Sequence, residues 1–447
     1  MVRGFDPQTT GMLMPSSRRL HLLHRLTPAV LLLAAMAVPA AAQEYQDQIQ
    51  ALMADPAVQV ALDHIEATDE QTMADLTMLT QIPAPPFMEE ARGQAFLARL
   101  QEIGVDSAWV DEEGNVIGLR RGTGGGEVLA LAGHLDTVFP EGTDVSVTQR
   151  GDTLFAPGIA DDTRGLATIL AVLRALNEAE VQTAGDILFI GNVGEEGVGD
   201  LRGMKHLFRE GGPRIDAFIS VDGTGHHGIT HMGLGSHRYR VTFLGPGGHS
   251  WGAFGLANPH HALGRAIRYF QDGADPYVRN APFRTSYNVG RIGGGTSVNS
   301  VPFESWMEVD MRSEGDETLE AVDAILQGAV QRALAEENTI RQRGEPLTVE
   351  VEMIGDRPSG VTPEEHPFVQ QAVAVTELLG GLPSLGRSST DSNIPISLGI
   401  PAITIGGGGI GRGAHSLDEW FINQDGPLGV QRTLLIALAQ ARLAPAS

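Results

Sequence analysis

Between about residue 70 and residue 235, short apolar runs alternate with amphipathic stretches, and this alternation constrains the fold more than any other feature. The candidate strands are 128–132, 187–190 and 217–221. The candidate helices are 90–102, 164–178 and 203–210. The apolar runs are rich in branched and aromatic residues, and Gly, Asp or Asn residues punctuate them. Such alternation predicts an α/β fold in which helices cover a mostly parallel sheet.

A different pattern occupies residues 237–354. Its predicted elements, in order, are a strand at 237–245, a helix at 257–271, strands at 284–292 and 303–312, a helix at 316–337 and a strand at 347–355. This β-α-β-β-α-β order is typical of a ferredoxin-like α+β domain. The α/β pattern then resumes with a helix at 366–379, a strand at 402–405 and a helix at 427–443. We therefore predict an α/β domain built from 43–236 and 355–447, with an α+β domain inserted at 237–354.

The first 42 residues have the features of an export signal. A basic region around Arg18 and Arg19 precedes the apolar run 29–38, and the small residues 39–42 follow. This run is too short for a comfortable membrane span, so we expect a removed signal peptide and no stable membrane anchor. The prediction is export, most simply to a bacterial periplasm by the Sec route, and the paired arginines leave the twin-arginine route open.

Composition narrows the chemistry. The formal net charge is -24, which argues against a nucleic-acid partner. The 447 residues include no cysteine. Disulfides, thiolate nucleophiles and cysteine-ligated zinc are thereby excluded. Any metal ion must be held by His, Asp and Glu side chains.

Polar residues of this kind follow the predicted strands or precede a predicted helix. They are His134, Asp136, Asp161, Asp162, Glu195, Glu196, Asp222 and His415. In open α/β sheets the ligand site lies outside the carboxyl ends of the strands, so these side chains are expected to converge. Two His and several carboxylates suit zinc or a similar divalent ion. The set exceeds what one ion needs, which favours two ions bridged by a carboxylate.

Each motif taken alone has a structural explanation. The pair Asp161-Asp162 precedes a helix and is typical of an N-cap, and Asp222-Gly223 is an ordinary turn dipeptide. The glycines of 406–411 match GxGxxG after a strand, but the polar sequence AHSLDEW follows where a dinucleotide site needs an apolar helix. We interpret these glycines as allowing the backbone to pass close to a site and deliver His415.

The motifs GHLDTV, GIADDTRG, GNVGEEG, SVDG, GPGGHS, SVNSVP, DMRS and GRGAHSLDEW occur in this order over nearly the whole chain that follows the export signal. As a set they resemble the dinuclear zinc hydrolases that include tripeptide aminopeptidase, carnosine dipeptidases, glutamate carboxypeptidase, acetylornithine deacetylase and aminoacylase. The resemblance implies a zinc-exopeptidase catalytic domain, with the inserted domain acting as a lid and dimerisation domain. It also implies two zinc ions per subunit, for which Co²⁺ or Mn²⁺ can substitute.

The resemblance further implies a role for each motif residue. The implied metal ligands are His134 and Asp222 for one ion, Glu196 and His415 for the other, and Asp161 between them. Asp136 would orient His134 through its second ring nitrogen. Glu195 would be the general base.

In the inserted domain, His249 would reach the active site of the partner subunit in a homodimer and stabilise the oxyanion. Asn299 and Arg312 match residues that contact substrate carbonyl or carboxylate groups.

Two positions depart from the usual family pattern. Arg164, after Thr163, stands where the tandem acids are usually followed by lysine, and Arg164 is expected to replace that charge. Asp222 stands where deacylases usually have glutamate, which favours a peptide substrate.

The predicted function is that of an exported metal-dependent hydrolase that cleaves an amide bond of a small peptide, in the manner of an amino- or dipeptidase. The alternatives within this class are a deacylase similar to acetylornithine deacetylase or succinyl-diaminopimelate desuccinylase, and a carboxypeptidase. A catalytically silent binding protein is disfavoured because Glu195 accompanies a full ligand set. A periplasmic solute-binding protein is disfavoured because its two lobes would be alike, whereas the two predicted domains differ in kind.

Overall fold

A computed structural model describes residues 40–445, with side chains from residue 43. The predicted export signal lies outside this part, except for the first three residues of the first helix. The helices are α1 Ala40–Met53, α2 Pro56–Ala67, α3 Asp69–Thr80, α4 Glu90–Ile103, α5 Thr163–Glu178, α6 Arg202–Leu207, α7 Pro259–Val278, α8 Asp316–Ile340, α9 Pro367–Leu378, α10 Asn393–Ser397 and α11 Gly426–Ala441. Within the described residues, none of these helices is long and apolar enough to cross a membrane.

The strands are short in the α/β part and longer in the inserted part. They are β1 Ser107–Val110, β2 Val116–Arg120, β3 Leu129–His134, β4 Thr148–Arg150, β5 Thr153–Phe155, β6 Ile187–Asn192, β7 Ala217–Val221, β8 Gly228–Gly233, β9 Gly235–Leu244, β10 Gly248–His249, β11 Thr285–Gly294, β12 Ser300–Val301, β13 Glu304–Ser313, β14 Thr348–Arg357, β15 Gly360–Val361, β16 Ser384–Ser388, β17 Ala402–Ile405, β18 Ile410–Arg412 and β19 Trp420–Ile422.

The main sheet has the strand order β1-β2-β6-β3-β7-β17-β8-β15, and β16 pairs with β8. Its four central strands, β6, β3, β7 and β17, run parallel to one another. Antiparallel pairs dominate only towards the two edges. The predicted α/β fold with a mostly parallel sheet is therefore confirmed.

The central strands are buried on both faces, which explains their nearly unbroken apolar sequences. Leu129 and Leu131 of β3 face one core, which helices α2, α5, α9 and α11 complete. Ala130 and Ala132 of the same strand face a second core, to which α6 and α10 contribute. Successive side chains of a strand point to opposite faces, so a single run of apolar residues supplies both cores.

The predicted β-α-β-β-α-β elements form a separate four-stranded antiparallel sheet with the order β11-β13-β9-β14. On β9, Tyr239, Val241 and Phe243 alternate with partly exposed residues and face helices α7 and α8. One face of the sheet is thus covered by helices, as the period-two pattern requires. This sheet extends from Gly235 to Arg357, slightly beyond the predicted range 237–354.

The glycine-rich stretch at 406–409 brings backbone segments into close contact. A Cβ atom added at Gly407 would lie 2.6 Å from the Thr168 hydroxyl, and one added at Gly408 would lie 2.5 Å from the Gly426 carbonyl oxygen. Gly408 also has a φ of 86°, in the left-handed region that favours glycine. These positions therefore exclude larger residues where the loop that leads to His415 crosses α5 and the start of α11.

The structure also contains elements that were not predicted, and one predicted helix is shorter than expected. Strands β18, β19, β5 and β4 form a small antiparallel sheet. Each of them has only three residues, which is too short for a readable alternation. Helix α6 ends at Leu207, before the predicted end at residue 210, and the turn that follows contains Gly211 with a φ of 80°.

Candidate metal centre and active site

The four parallel central strands bring the candidate residues to one edge of the main sheet. His134 is the last residue of β3, and Asp222 directly follows β7. Glu195 and Glu196 follow β6 within four residues, and the loop after β17 and β18 carries His415. Because these strands are adjacent and parallel, their carboxyl ends open on the same crevice.

All five predicted metal ligands come together there. One group consists of His134, Asp161 and Asp222, and another of Asp161, Glu196 and His415; in each, the ligand atoms lie within 4.8 Å of one another. Asp161 belongs to both groups. Its Oδ1 lies 3.0 Å from His134 Nε2, and its Oδ2 lies 3.2 Å from His415 Nε2. The carboxylate thus presents one oxygen to each half of the cluster, and this donor set fits two zinc-like ions that share a bridging ligand.

Electrostatics of the cluster agree with such a fit. Burial, reinforced by Asp161, raises the pKa of Asp222 to about 7. Burial also raises the pKa of Glu196, whereas the hydrogen bond with Asp161 raises the pKa of His415 to about 9. Carboxylates that crowd together in a buried crevice repel one another. Divalent cations compensate such a charge and invert these shifts.

Asp136 contacts the second ring nitrogen of His134 through its backbone carbonyl and not through its carboxylate. The Nδ1 atom of His134 makes its hydrogen bond with the backbone carbonyl of Asp136, at 3.0 Å, and the nearest carboxylate oxygen lies 3.7 Å away. The carboxylate accepts hydrogen bonds from the backbone N–H groups of Glu195 at 3.0 Å and Glu196 at 2.8 Å. Asp136 therefore fixes both the ring of His134 and the peptide that carries the two glutamates.

The neighbouring acids Asp161 and Asp162 have different roles. Whereas Asp161 faces the cluster, Asp162 is fully buried and accepts hydrogen bonds from the N–H groups of His134, Gly165 and Gly223 at 3.1 to 3.2 Å. It caps α5 and joins the ends of two strands to that helix. Asp162, the second acid of the pair, is therefore the residue that forms the N-cap of α5.

Glu195 lies beside the cluster in a buried position. Its Oε1 atom accepts a hydrogen bond from Arg357 at 3.1 Å, and its backbone carbonyl accepts a second one from the same guanidinium. Burial raises the pKa of Glu195 well above its usual range, and the guanidinium acts in the opposite direction. Glu195 also belongs to a third group of candidate ligands, together with His134 and Glu196.

A cavity of about 400 Å³ opens onto Glu195, Asp161 and His415, and arginines from the inserted part line it. Arg238 and Arg312 both pair with Asp310, at 3.0 and 2.9 Å. Two guanidinium groups therefore share one carboxylate, and these three groups together carry a net charge of +1. Such a pair suits a substrate that has a free carboxylate group.

The structure does not bring His249 and Asn299 into this cavity. His249 is exposed on β10, which pairs with β12, and the backbone carbonyl of Asn299 accepts a hydrogen bond from Ser250 N at 2.8 Å. The two residues thus lie together on the inserted domain. Of the three predicted residues of this domain, only Arg312 lines the site of its own chain.

Arg164 does not replace the expected lysine charge at the site. Its guanidinium is fully buried and donates hydrogen bonds to the carbonyl oxygens of Gly407 at 2.8 Å and Gly426 at 2.9 Å. Burial lowers its pKa to about 10. Arg164 therefore holds the glycine-rich loop against α11, and the expectation from the family pattern is wrong at this position.

Sequence reasoning missed several residues of the cavity. Arg357 ends β14, and residues 388–390 contribute hydroxyl groups to the wall. Next to them, Asp391 is fully buried and accepts a hydrogen bond from Asn192 at 2.8 Å; burial raises its pKa to about 6. The signal available was the polar run SSTDSN between apolar segments, which is equally typical of a surface turn.

The fold and the crevice define a metal-dependent hydrolase of the kind that joins an α/β catalytic domain to a lid domain. Comparison with known families agrees, since the family model for peptidase family M20/M25/M40 matches residues 130–439. The chain belongs to this family. Its relatives are hydrolases that act on amide bonds.

Individual proteins are similar to this chain in sequence or in fold. Carboxypeptidase G2 of Pseudomonas sp. (strain RS-16) is 27% identical over 300 residues, which cover 63% of this chain and 70% of the relative. The aminopeptidase PepT from Bacillus cereus has a similar fold, with a TM-score of 0.67, 24% identity, and coverage of 83% of this chain and 99% of that one. The Bacillus subtilis YXEP protein, described as a dinuclear metal binding peptidase of the M20 family, has a TM-score of 0.61 at 17% identity, covering 83% of this chain and 98% of that one.

Proposed function

We propose that this chain is an exported dizinc hydrolase that cleaves an amide or peptide bond of a small substrate with a free carboxylate. The observation that carries the proposal is the pair of ligand groups that share Asp161 and lie beside the buried carboxyl of Glu195. Export is inferred from the sequence of residues 1–42 alone.

In this proposal His134 and Asp222 would hold one ion, Glu196 and His415 would hold the other, and Asp161 would be available to both. When bound, the ions supply Lewis-acid polarisation of the substrate carbonyl and lower the pKa of water at the site. Zinc is the expected ion because the donors are imidazole nitrogens and carboxylate oxygens, and Co²⁺ or Mn²⁺ can substitute.

Glu195 is assigned the proton transfer. It is not needed to complete either of the two groups that share Asp161, and it faces the cavity where a substrate would lie. As general base its carboxylate takes a proton from the attacking water, and as general acid it returns that proton to the leaving amine. The hydrogen bond from Arg357 fixes the direction in which the carboxyl group points.

The arginine pair supports the choice of substrate. Arg312 and Arg238, which share Asp310, would bind the carboxylate at the carboxyl end of a dipeptide or tripeptide. An N-acyl amino acid offers the same carboxylate, so a deacylase is the second candidate. Aspartate at position 222, where deacylases usually have glutamate, favours the peptide.

The inserted domain supports a homodimer in this proposal. His249 is exposed and does not line the cavity of its own chain, and nearby Trp251 and Phe254 have exposed fractions of 88% and 75%. Large exposed aromatic side chains next to a polar group are typical of an interface. A second copy of the chain covering this surface would receive His249, which would stabilise the oxyanion in that copy's site, with Asn299 beside it.

One substrate panel tests the proposal. The zinc-loaded chain is assayed with dipeptides, tripeptides, their carboxyl-terminal amides, and N-acetyl- and N-succinyl-amino acids, each with and without a chelator. We expect chelator-sensitive cleavage of the free-acid peptides and much slower cleavage of the amides. The absence of chelator-sensitive cleavage from the whole panel would contradict the proposed function, and cleavage of the acyl amino acids alone would select the deacylase.

A further inference from the structure

Glu419 is a buried acid that the proposed chemistry does not use. Its exposed fraction is 0%, and it follows His415 by four residues. Its carboxylate accepts three backbone hydrogen bonds, from Gly158 N at 2.8 Å, Ala160 N at 2.7 Å and Asp161 N at 3.0 Å. All three donors lie in the loop that ends in the shared ligand Asp161. Burial of a carboxylate costs free energy, which hydrogen bonds to backbone N–H groups offset.

The small sheet explains why Glu419 reaches this loop. Strand β19 begins at Trp420 and pairs with β5, where Trp420 lies opposite Phe155. The loop before β19 carries His415, and the loop after β5 carries Asp161. The backbone carbonyl of Glu419 also accepts a hydrogen bond from Ala156 N at 3.1 Å. Glu419 therefore joins the two loops at the point where both leave the sheet.

We propose that Glu419 is a positioning residue for the metal centre, which holds Asp161 and His415 in the geometry for binding both ions before an ion arrives. This inference rests on the proposed function. The geometric reason is that Asp161 N is itself one of the three donors, so the carboxylate fixes the backbone from which the shared ligand projects. Loss of a residue that orients metal ligands typically weakens metal binding by about 10- to 100-fold.

Asp111 provides a matched control. Its carboxylate also accepts three backbone hydrogen bonds, from Glu113 N at 3.0 Å and from Gly114 N and Asn115 N at 2.9 Å each. It lies in the turn between β1 and β2, and its link to the loop of Glu196 is indirect, through Asn115, which accepts a hydrogen bond from Val193 N at 3.1 Å. Asp111→Asn therefore removes the charge of a carboxylate that accepts backbone hydrogen bonds, and replaces the Oδ2 acceptor of a side-chain bond from Asn115 Nδ2 at 2.8 Å, without direct contact with the loop of a metal ligand.

The test is a zinc titration of the metal-free wild-type, Glu419→Gln and Asp111→Asn proteins by calorimetry, repeated with Co²⁺ and read from its absorption spectrum. In Glu419→Gln one oxygen that accepts a backbone hydrogen bond becomes an NH₂ group that cannot accept it. We expect this variant to bind the ions about 10- to 100-fold more weakly than wild type, with an altered Co²⁺ spectrum. Asp111→Asn is expected to match wild type in both readouts.

Wild-type affinity in Glu419→Gln, or an equal loss in Asp111→Asn, would overturn the positioning role and leave the proposed function standing. Failure of the wild type to bind zinc would instead overturn the proposed function. If Glu419→Gln does not fold, amide hydrogen exchange in the metal-free wild type tests the positioning role of Glu419 instead. Protection of the amides of Gly158, Ala160 and Asp161 supports the role, and exchange at the rate of an open loop contradicts it.

Discussion

Replacement of Glu195 by glutamine separates the proton transfer from metal binding. The change keeps the size of the side chain and an Oε1 atom that can accept the hydrogen bond that Arg357 now donates at 3.1 Å. Asp136 still fixes the backbone at this position through the N–H of residue 195. The variant therefore loses a proton acceptor while the surrounding contacts remain.

The expected loss is in turnover. A positioned general base contributes about 10²- to 10⁴-fold to the rate. At 1.36 kcal/mol for each factor of ten, this corresponds to about 3 to 5 kcal/mol in the activation barrier. We expect kcat of Glu195→Gln to fall by this factor on the preferred peptide, with zinc content unchanged because the two groups that share Asp161 remain complete.

Glu89→Gln is the control for this experiment. Glu89 is also a buried glutamate paired with an arginine, Arg202, at 2.7 Å, but it does not line the cavity. The kcat of Glu89→Gln is expected to stay within about threefold of the wild-type value, since Glu89 does not line the cavity that would hold the substrate. Full turnover in Glu195→Gln would refute the assignment of the base. Loss of one zinc ion from that variant would show that Glu195 is a ligand, as the third candidate group allows.

Three further predictions concern binding, stability and assembly. Arg312→Gln is expected to raise KM for free-acid peptides by about tenfold or more, because a charge-assisted hydrogen bond contributes about 1.5 to 3 kcal/mol. KM for the peptide amides is expected to change little. Equal effects on both kinds of substrate would contradict the role of Arg312 in binding the substrate carboxylate. Gly165→Ala is expected to destabilise the fold by about 1 to 3 kcal/mol in urea unfolding, since the added Cβ would lie 1.9 Å from a backbone carbonyl oxygen. Gly264 lies on a helix, and an added Cβ would have no atom within 4 Å, so Gly264→Ala is expected to stabilise the fold by about 0.5 to 1 kcal/mol. A change of the same sign in the free energy of unfolding of both variants would contradict this prediction. An inactive His249→Ala protein mixed with inactive His134→Ala is expected to regain part of the activity, and no recovery after subunit exchange would argue against a site shared across a dimer.

The sequence was most informative where side chains follow strands. The positions of His134 and Asp222 could be anticipated because each ends or follows a strand of the main sheet, and parallel neighbours open at one edge. Assignment of each residue to a particular ion came from the family resemblance, since strand position alone does not reveal which oxygen faces which imidazole.

The contacts that the sequence did not reveal are those between distant segments. Arg357 is 162 residues from Glu195, and Glu419 is 258 residues from Asp161. Each belongs to a residue type that is most often exposed and has no local pattern that marks it as buried. Arg164 shows the converse, because its charge suggested a place at the site, whereas its guanidinium donates hydrogen bonds to the carbonyl oxygens of Gly407 and Gly426.

Zinc stoichiometry tests the central claim most directly. Calorimetric titration of the metal-free chain with zinc is predicted to give two ions per chain, because two ligand groups are present and share Asp161. The same titration of Asp161→Ala is predicted to show the loss of at least one ion, since both groups lose a ligand. Binding of fewer than two ions by the wild type, or two ions held with unchanged affinity by Asp161→Ala, would contradict the account.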